Sequence, residues 1–223
     1  MVSSAGGMGA EVVSNRAALE AYLSQDPELH VKLAPLLVEI EPALPRRFHA
    51  HMSPSLAESL RPRRRVVSHG RFLKLALRDR ARLAAVDVGD VESLGPSNDR
   101  EVRAFYERAY PENTFDPRML ETGYTVGIRR GAALAAIAGV HVISTRYRVA
   151  ALGNVATAPA HRGQGLATSA TARLCQRLLS EADVIGLNVH AENRAAQACY
   201  RKLGFEQAAV YEELTIAQPG STR

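Results

Sequence analysis

The sequence has no tryptophan and only two cysteines in 223 residues. Two thiols exclude a disulfide framework. Cys175 and Cys199 both fall in helix-like stretches, where they read as buried free thiols. No histidine or cysteine spacing suits a metal site, so no metal is expected. No apolar stretch approaches the length of a membrane span, so no membrane partner is expected. The opening stretch MVSSAGGMGAEVV lacks a basic segment followed by an apolar core, which makes the cytoplasm the expected compartment. No internal repeat is visible. Hydrophobic residues make up 46% of the chain, enough for a real core, and 23% are charged, too ordinary a share for wholesale disorder. The length allows one large domain or one and a half. The net charge of +5 favours an acidic ligand without separating a nucleotide from nucleic acid or an acidic metabolite.

Along the chain, SNRAALEAYLSQD reads as a helix capped by Ser14 or Asn15. PELHVKLAPLLVEIE carries leucines at helical spacing, interrupted by Pro35. Residues 42 to 65 are proline-rich and basic. RFLKLALRD alternates with period two and predicts a half-buried strand, and RLAAVDVG predicts a second one. In SNDREVRAFYERAY, Asn98 followed three residues later by Glu101 predicts a capping box. DPRMLETG places Asp116 at a helix N-cap, Pro117 in the first turn and Gly123 past the end. YTVGIRR, ALAAIAGVHVIS and RYRVAALGNVATA predict an antiparallel meander. The helix LATSATARLCQRLLSEA follows, with Leu166, Ala170, Leu174 and Leu178 as its apolar stripe. VIGLNV then reads as a short strand, NRAAQACYRKLGF as a helix capped by Asn193 and stopped by Gly204, and AVYEELTI as a last strand.

The stretch APAHRGQGLA lies between a strand and a helix. A glycine turn at a helix start leaves N–H groups free at the positive end of the dipole, which is an anion site. A P-loop is excluded, because Leu166 and not lysine follows Gly165. A dinucleotide fingerprint needs a third glycine where Thr168 stands, and the preceding meander is the wrong context.

Strand, glycine turn, amphipathic helix, strand and an asparagine-capped helix ending in YRKLGF together resemble the GNAT superfamily of N-acetyltransferases. Within it, NVATAPAHRGQGLA and NVHAENRAAQACYRKLGF look closest to the branch whose C-terminal domain is like that of glycine N-acyltransferases. The resemblance covers roughly residues 90 to 215. It implies an α/β fold with a mixed, mostly antiparallel sheet flanked by helices. It also implies acetyl-CoA as acetyl donor and an amine acceptor. Its acetyl-CoA signature falls on Arg162, Gly163, Gln164, Gly165, Leu166 and Ala167, whose amides would cradle the pyrophosphate. Val155, Ala156 and Thr157 would run along the pantetheine arm. Asn193 would hydrogen-bond that arm, and Tyr200, two helical turns on, would stand at the sulfur and protonate the leaving thiolate.

No motif names the base that the acceptor needs. His141 is the first candidate, since an ordinary histidine titrates near neutrality. Glu112, Asp116, His190 and Glu192 follow. The run Arg61–Arg65 lacks interleaved aromatics and reads as a solvated loop, so nucleic acid is not an expected partner. The expected division is an accessory α/β region over 1–88, a GNAT-like domain over 89–217 and a disordered tail over 218–223, with a homodimer as an option. The rival readings are a non-catalytic acyl-CoA-binding module, which would lack a base in the acceptor cleft, and a nucleic-acid binder using the arginine run.

Overall fold

The computed structural model describes residues 41–220. The two helices expected over 14–40 lie outside the described residues, as do the last three residues of the expected tail. The described strands are β1 (Arg47–Met52), β2 (Arg65–Leu77), β3 (Val91–Leu94), β4 (Thr125–Arg130), β5 (Ala133–Ser144), β6 (Val149–Thr157), β7 (Val184–His190) and β8 (Phe205–Ala217). The helices are α1 (Pro54–Leu60), α2 (Asp99–Ala109), α3 (Arg118–Glu121), α4 (Leu166–Leu178) and α5 (Arg194–Lys202). All eight strands form one sheet in the order β1-β8-β2-β7-β6-β5-β4-β3. Every neighbouring pair is antiparallel except β6 and β7. The mixed, mostly antiparallel sheet flanked by helices is the expected fold class.

Periodicity explains the layers. Leu166, Ala170, Leu174 and Leu178 recur every fourth residue, so α4 buries one stripe against Val126, Val140, Leu152 and Leu187 of the sheet. Val102, Phe105, Tyr106 and Ala109 do the same for α2, on the opposite face, against Leu134, Ile137 and Ala156. Leu60 of α1 packs on Leu214 and Ile216 of β8.

Several expectations differ from what is observed. RLAAVDVG is not a strand: Arg80–Ala85 is a 3-10 helix that buries Leu83, whose carbonyl accepts from the Gln176 side chain at 2.9 Å. The chain is turned there because the N–H groups of Arg78 and Asp79 both reach the Gly204 carbonyl, ending β2. The basic stretch 42–65 holds β1 and α1, which its composition hid. The run Arg61–Arg65 is not uniformly solvated. Arg64 is buried, ion-paired with Glu41 and bonded to the carbonyls of Pro45 and Glu41. The capping box at Asn98 does not form. Its side chain accepts from the Gly95 N–H at 2.9 Å, and Glu101 pairs with Arg129 of β4. α3 starts at Arg118 with Pro117 in its N-cap position, one residue later than expected, because Asp116 lies just outside it and accepts from the Arg118 N–H at 2.9 Å; Gly123 follows with φ 74°.

The first and last strands of the pattern sit together in the sheet. β2 lies between β7 and β8, so residues from both ends of the chain share one hydrogen-bonded layer.

Candidate active site

The parallel pair β6–β7 runs from Val149 opposite Val184 to Leu152 opposite Leu187 and then stops. Beyond that point β6 continues to Thr157 and β7 to His190 without pairing each other. Two strands that part inside a sheet leave a cleft with unpaired backbone on both walls. The cleft is a cavity of about 700 Å³, with Val155, Ala156 and Thr157 on one wall and Asn188, Val189 and His190 on the other.

A β-bulge shapes the β6 wall. Gly139 pairs with Gly153 and Ile137 with Ala156, so Asn154 and Val155 stand opposite the single residue Ala138. Asn154 is left-handed, with φ 52°, although it is not glycine. The extra residue inverts the alternation of β6. Leu152 faces the α4 side of the sheet and Ala156 the α2 side. Asn154 is buried and makes three contacts. Its carbonyl accepts from the Tyr106 hydroxyl at 2.6 Å, its amide oxygen accepts from the Thr114 N–H at 3.4 Å, and its amide nitrogen donates to the Met119 sulfur at 3.5 Å. β5 bulges too. His141 is the unmatched residue between the pairs Val140 with Leu152 and Val142 with Ala151. Its ring lies over Gly153, filling the space a Cβ would need, and its Nε2 is 3.3 Å from the Thr114 hydroxyl.

At the end of β6 the chain makes the glycine turn. Gly163 and Gly165 have φ 78° and 79°, a region that L side chains enter only with strain, and Gly165 caps α4. Gly163, Gln164 and Gly165 donate to no described backbone carbonyl. Arg162, Gly163, Gly165, Leu166 and Ala167 line the cavity, whereas the Gln164 side chain does not. Arg162 reaches back to the Thr157 carbonyl at 3.4 Å.

From α5 come Asn193 and Tyr200, both lining the cavity. The Asn193 side chain accepts from the Ala196 N–H at 3.1 Å, the predicted cap. Tyr200 is buried in a T-shaped contact with the Phe205 ring, and its hydroxyl makes no hydrogen bond among the described residues. Burial, and next the neighbouring Cys199, raise its phenol well above the ordinary value, so it stays protonated. Cys199 lines the same cavity, 3.2 Å from the Thr168 hydroxyl, and is a free thiol like the buried Cys175.

Geometry ranks the base candidates. Asp116 is tied to Arg118 by the side-chain and backbone bonds that Arg118 donates, which holds its carboxyl down at about 2. Such a carboxylate is a poor proton acceptor at neutral pH. His190 accepts from the Glu192 N–H on Nδ1 at 3.2 Å. That nitrogen is therefore already engaged as an acceptor. Glu112 and Glu192 are exposed and outside the cavity wall. His141 is exposed and outside the lining as well, but its ring lies against Gly153 of the wall and in reach of Thr114, which places it nearer the cleft than either glutamate. Sequence reasoning missed Asn154, Tyr110, Phe72 and Asn188, all of which line the cavity. The dipeptide Gly153-Asn154 in mid-strand was the signal available for the bulge.

The acetyltransferase (GNAT) family model matches residues 91–205, and the chain belongs to that family. Among solved structures, a GCN5-related N-acetyltransferase from Kribbella flavida is 22% identical with a TM-score of 0.59, covering 86% of this chain and 77% of that one. A GCN5-related N-acetyltransferase from Sphaerobacter thermophilus is 14% identical with a TM-score of 0.61, covering 88% and 69%. An acetyltransferase from the GNAT family of Colwellia psychrerythraea is 15% identical with a TM-score of 0.60, covering 86% and 75%. At these identities the likeness shows the fold. No curated protein matches the chain. None of the described helices is long and apolar enough to cross a membrane.

Proposed function

We propose that the protein moves an acetyl group from acetyl-CoA to the amine of an acceptor by direct transfer. The observation that carries this is the parting of β6 from β7 with the glycine turn placed at its end. In this reading the pantetheine arm lies along Val155, Ala156 and Thr157, and the amides of residues 162–167 hold the pyrophosphate at the positive end of α4. Glycine at 163 and 165 supports it, because a Cβ at either position would carry backbone strain. Within the family, the paired stretches NVATAPAHRGQGLA and NVHAENRAAQACYRKLGF favour the branch like glycine N-acyltransferases.

The chemistry needs three things. The amine nitrogen attacks the thioester carbonyl, and a C–N bond forms as the C–S bond breaks. A backbone amide of the β6 bulge stabilises the developing oxyanion. The amine's proton leaves to His141, directly or through water, and the Tyr200 hydroxyl donates a hydrogen bond to the departing thiolate, which solvent protonates. A panel of amines and amino acids assayed for free CoA identifies the acceptor. Isothermal calorimetry with CoA tests the donor site. Saturable binding is expected, and a folded protein that binds neither CoA nor acetyl-CoA overturns the reading.

A further inference from the structure

The segment from Tyr106 to Met119 converges on one residue of the β6 wall. Tyr106 sits at the end of α2, is buried, and donates to the Asn154 carbonyl. Thr114, in the loop between α2 and α3, donates its N–H to the Asn154 side chain and sets its hydroxyl beside His141. Met119 of α3 accepts from the other end of the same amide. Asn154 is thus held at its carbonyl, its amide oxygen and its amide nitrogen by three points of one segment. It is held in a left-handed conformation that a non-glycine residue adopts at a cost, and such strain persists only where surroundings over-determine it.

We infer that Asn154 and Tyr106 are positioning residues for the transfer. Together they fix the peptide plane between Asn154 and Val155, and so aim the Val155 N–H at the thioester carbonyl. The inference rests on the acetyltransferase reading above and adds to it. It names the group that would serve as oxyanion donor and what orients it. The direction of an amide at a bulge follows from the φ and ψ of the bulged residue. Asn154 supplies the φ, and the Tyr106 hydroxyl pins the carbonyl on the other side of the same residue. A direct consequence is that the α2–α3 loop and the β6 wall are one unit. Displacing Thr114 or α2 would re-aim the amide without touching the cofactor's phosphates, which lie at the far end of β6.

The test uses acetyl-CoA labelled with carbon-13 at the carbonyl, bound to the full-length protein, and needs no acceptor. Bound to wild type, the carbonyl resonance moves downfield of free acetyl-CoA, as a polarised carbonyl does. Tyr106→Phe keeps the ring and removes one hydroxyl. It should keep acetyl-CoA affinity and lose most of that shift, with kcat on any acceptor found falling on the order of tenfold at unchanged KM for acetyl-CoA. Asn154→Gly keeps the left-handed backbone and removes both side-chain ties, and should also narrow the shift. The double variant should be no worse than the poorer single, because both act through one peptide plane. If Tyr106→Phe fails to fold, Asn154→Gly carries the test alone. A full downfield shift in a folded Asn154→Gly or Tyr106→Phe overturns the inference, and so does strict additivity. A wild type that does not bind acetyl-CoA overturns the acetyltransferase reading itself, and is a distinct result.

Discussion

A phenol beside a departing thiolate acts through the free energy of its proton. An ordinary thiol titrates near 8.5 and an ordinary phenol near 10. Burial lifts Tyr200 further above its ordinary value, so complete proton transfer from it to the thiolate runs uphill. In the proposed mechanism Tyr200 would then serve as a hydrogen-bond donor to the developing charge, with solvent supplying the final proton. Tyr200→Phe should lower kcat by about 10- to 100-fold while the fold and CoA affinity persist. Any basic limb of the pH–rate profile should survive the substitution, because the phenol titrates beyond it. Loss of that limb in the variant would return Tyr200 to the role of true acid. His141→Gln makes the complementary case. It should lower turnover and erase an acidic limb, with CoA binding intact, whereas Asp116→Asn should leave the profile unmoved above about pH 5, since its carboxyl already titrates at about 2. A limb that vanishes with Asp116 and stays with His141 would reverse the assignment.

Elements are fixed by the side chains that tie them together. Arg129 of β4 reaches Glu92 of β3 at 2.6 Å and both carboxylate oxygens of Glu101 on α2. The Arg129 hydrogen bond lowers the Glu101 pKa against a smaller opposing effect of burial. A carboxyl with a lowered folded pKa contributes stability that is present above its unfolded pKa and lost as pH falls through the folded one. Both side chains are about a third exposed, so solvent screens the pair and the expected loss in Glu101→Gln is about 0.5 to 1 kcal/mol at pH 7. Urea denaturation should show that gap closing as pH is lowered below about 4. A gap that widens on acidification would refute the pairing as a source of stability. At the N-terminus of α4, Gly165→Glu places a carboxylate and a strained backbone in the glycine turn. Its affinity for CoA should collapse while circular dichroism stays native, and unchanged affinity would move the phosphate site elsewhere. These elements were the ones legible in the sequence. The meander, the stripe of α4, the Asn193 cap and the order of turn and helix all follow from local chemistry. Arg80–Ala85 was not legible, and β1 was overlooked because its signal is short. RFHAHM alternates cleanly, with Phe48, Ala50 and Met52 inward, but over only six residues inside a proline-rich basic stretch, whereas Leu83 owes its burial to α4, nearly a hundred residues away. The bulge at Asn154 is set by contacts with Tyr106 and Thr114, and no short window contains all three.

At the scale of the molecule, β2 decides whether the C-terminal half holds together. It separates β7 from β8 and pairs along most of its length with β8. A chain beginning at residue 89 would leave β7 with an open edge and β8 with neither of its partners, β1 and β2. It should fail to give a cooperative thermal transition, and dispersed amide resonances from such a fragment would show that the accessory region is dispensable.

The same placement has a consequence in time. β2 emerges from the ribosome with its three leucines, Leu73, Leu75 and Leu77, already in strand order, but both of its neighbours belong to the last forty or so residues. At roughly 5 to 20 residues per second of synthesis, the strand waits on the order of ten seconds with both hydrogen-bonding edges bare. Until β8 appears the sheet cannot close. Refolding from denaturant faces the same distant pairing and should be slow for a chain of this size. For a nascent chain, the interval before β8 is made is the period of greatest exposure to aggregation.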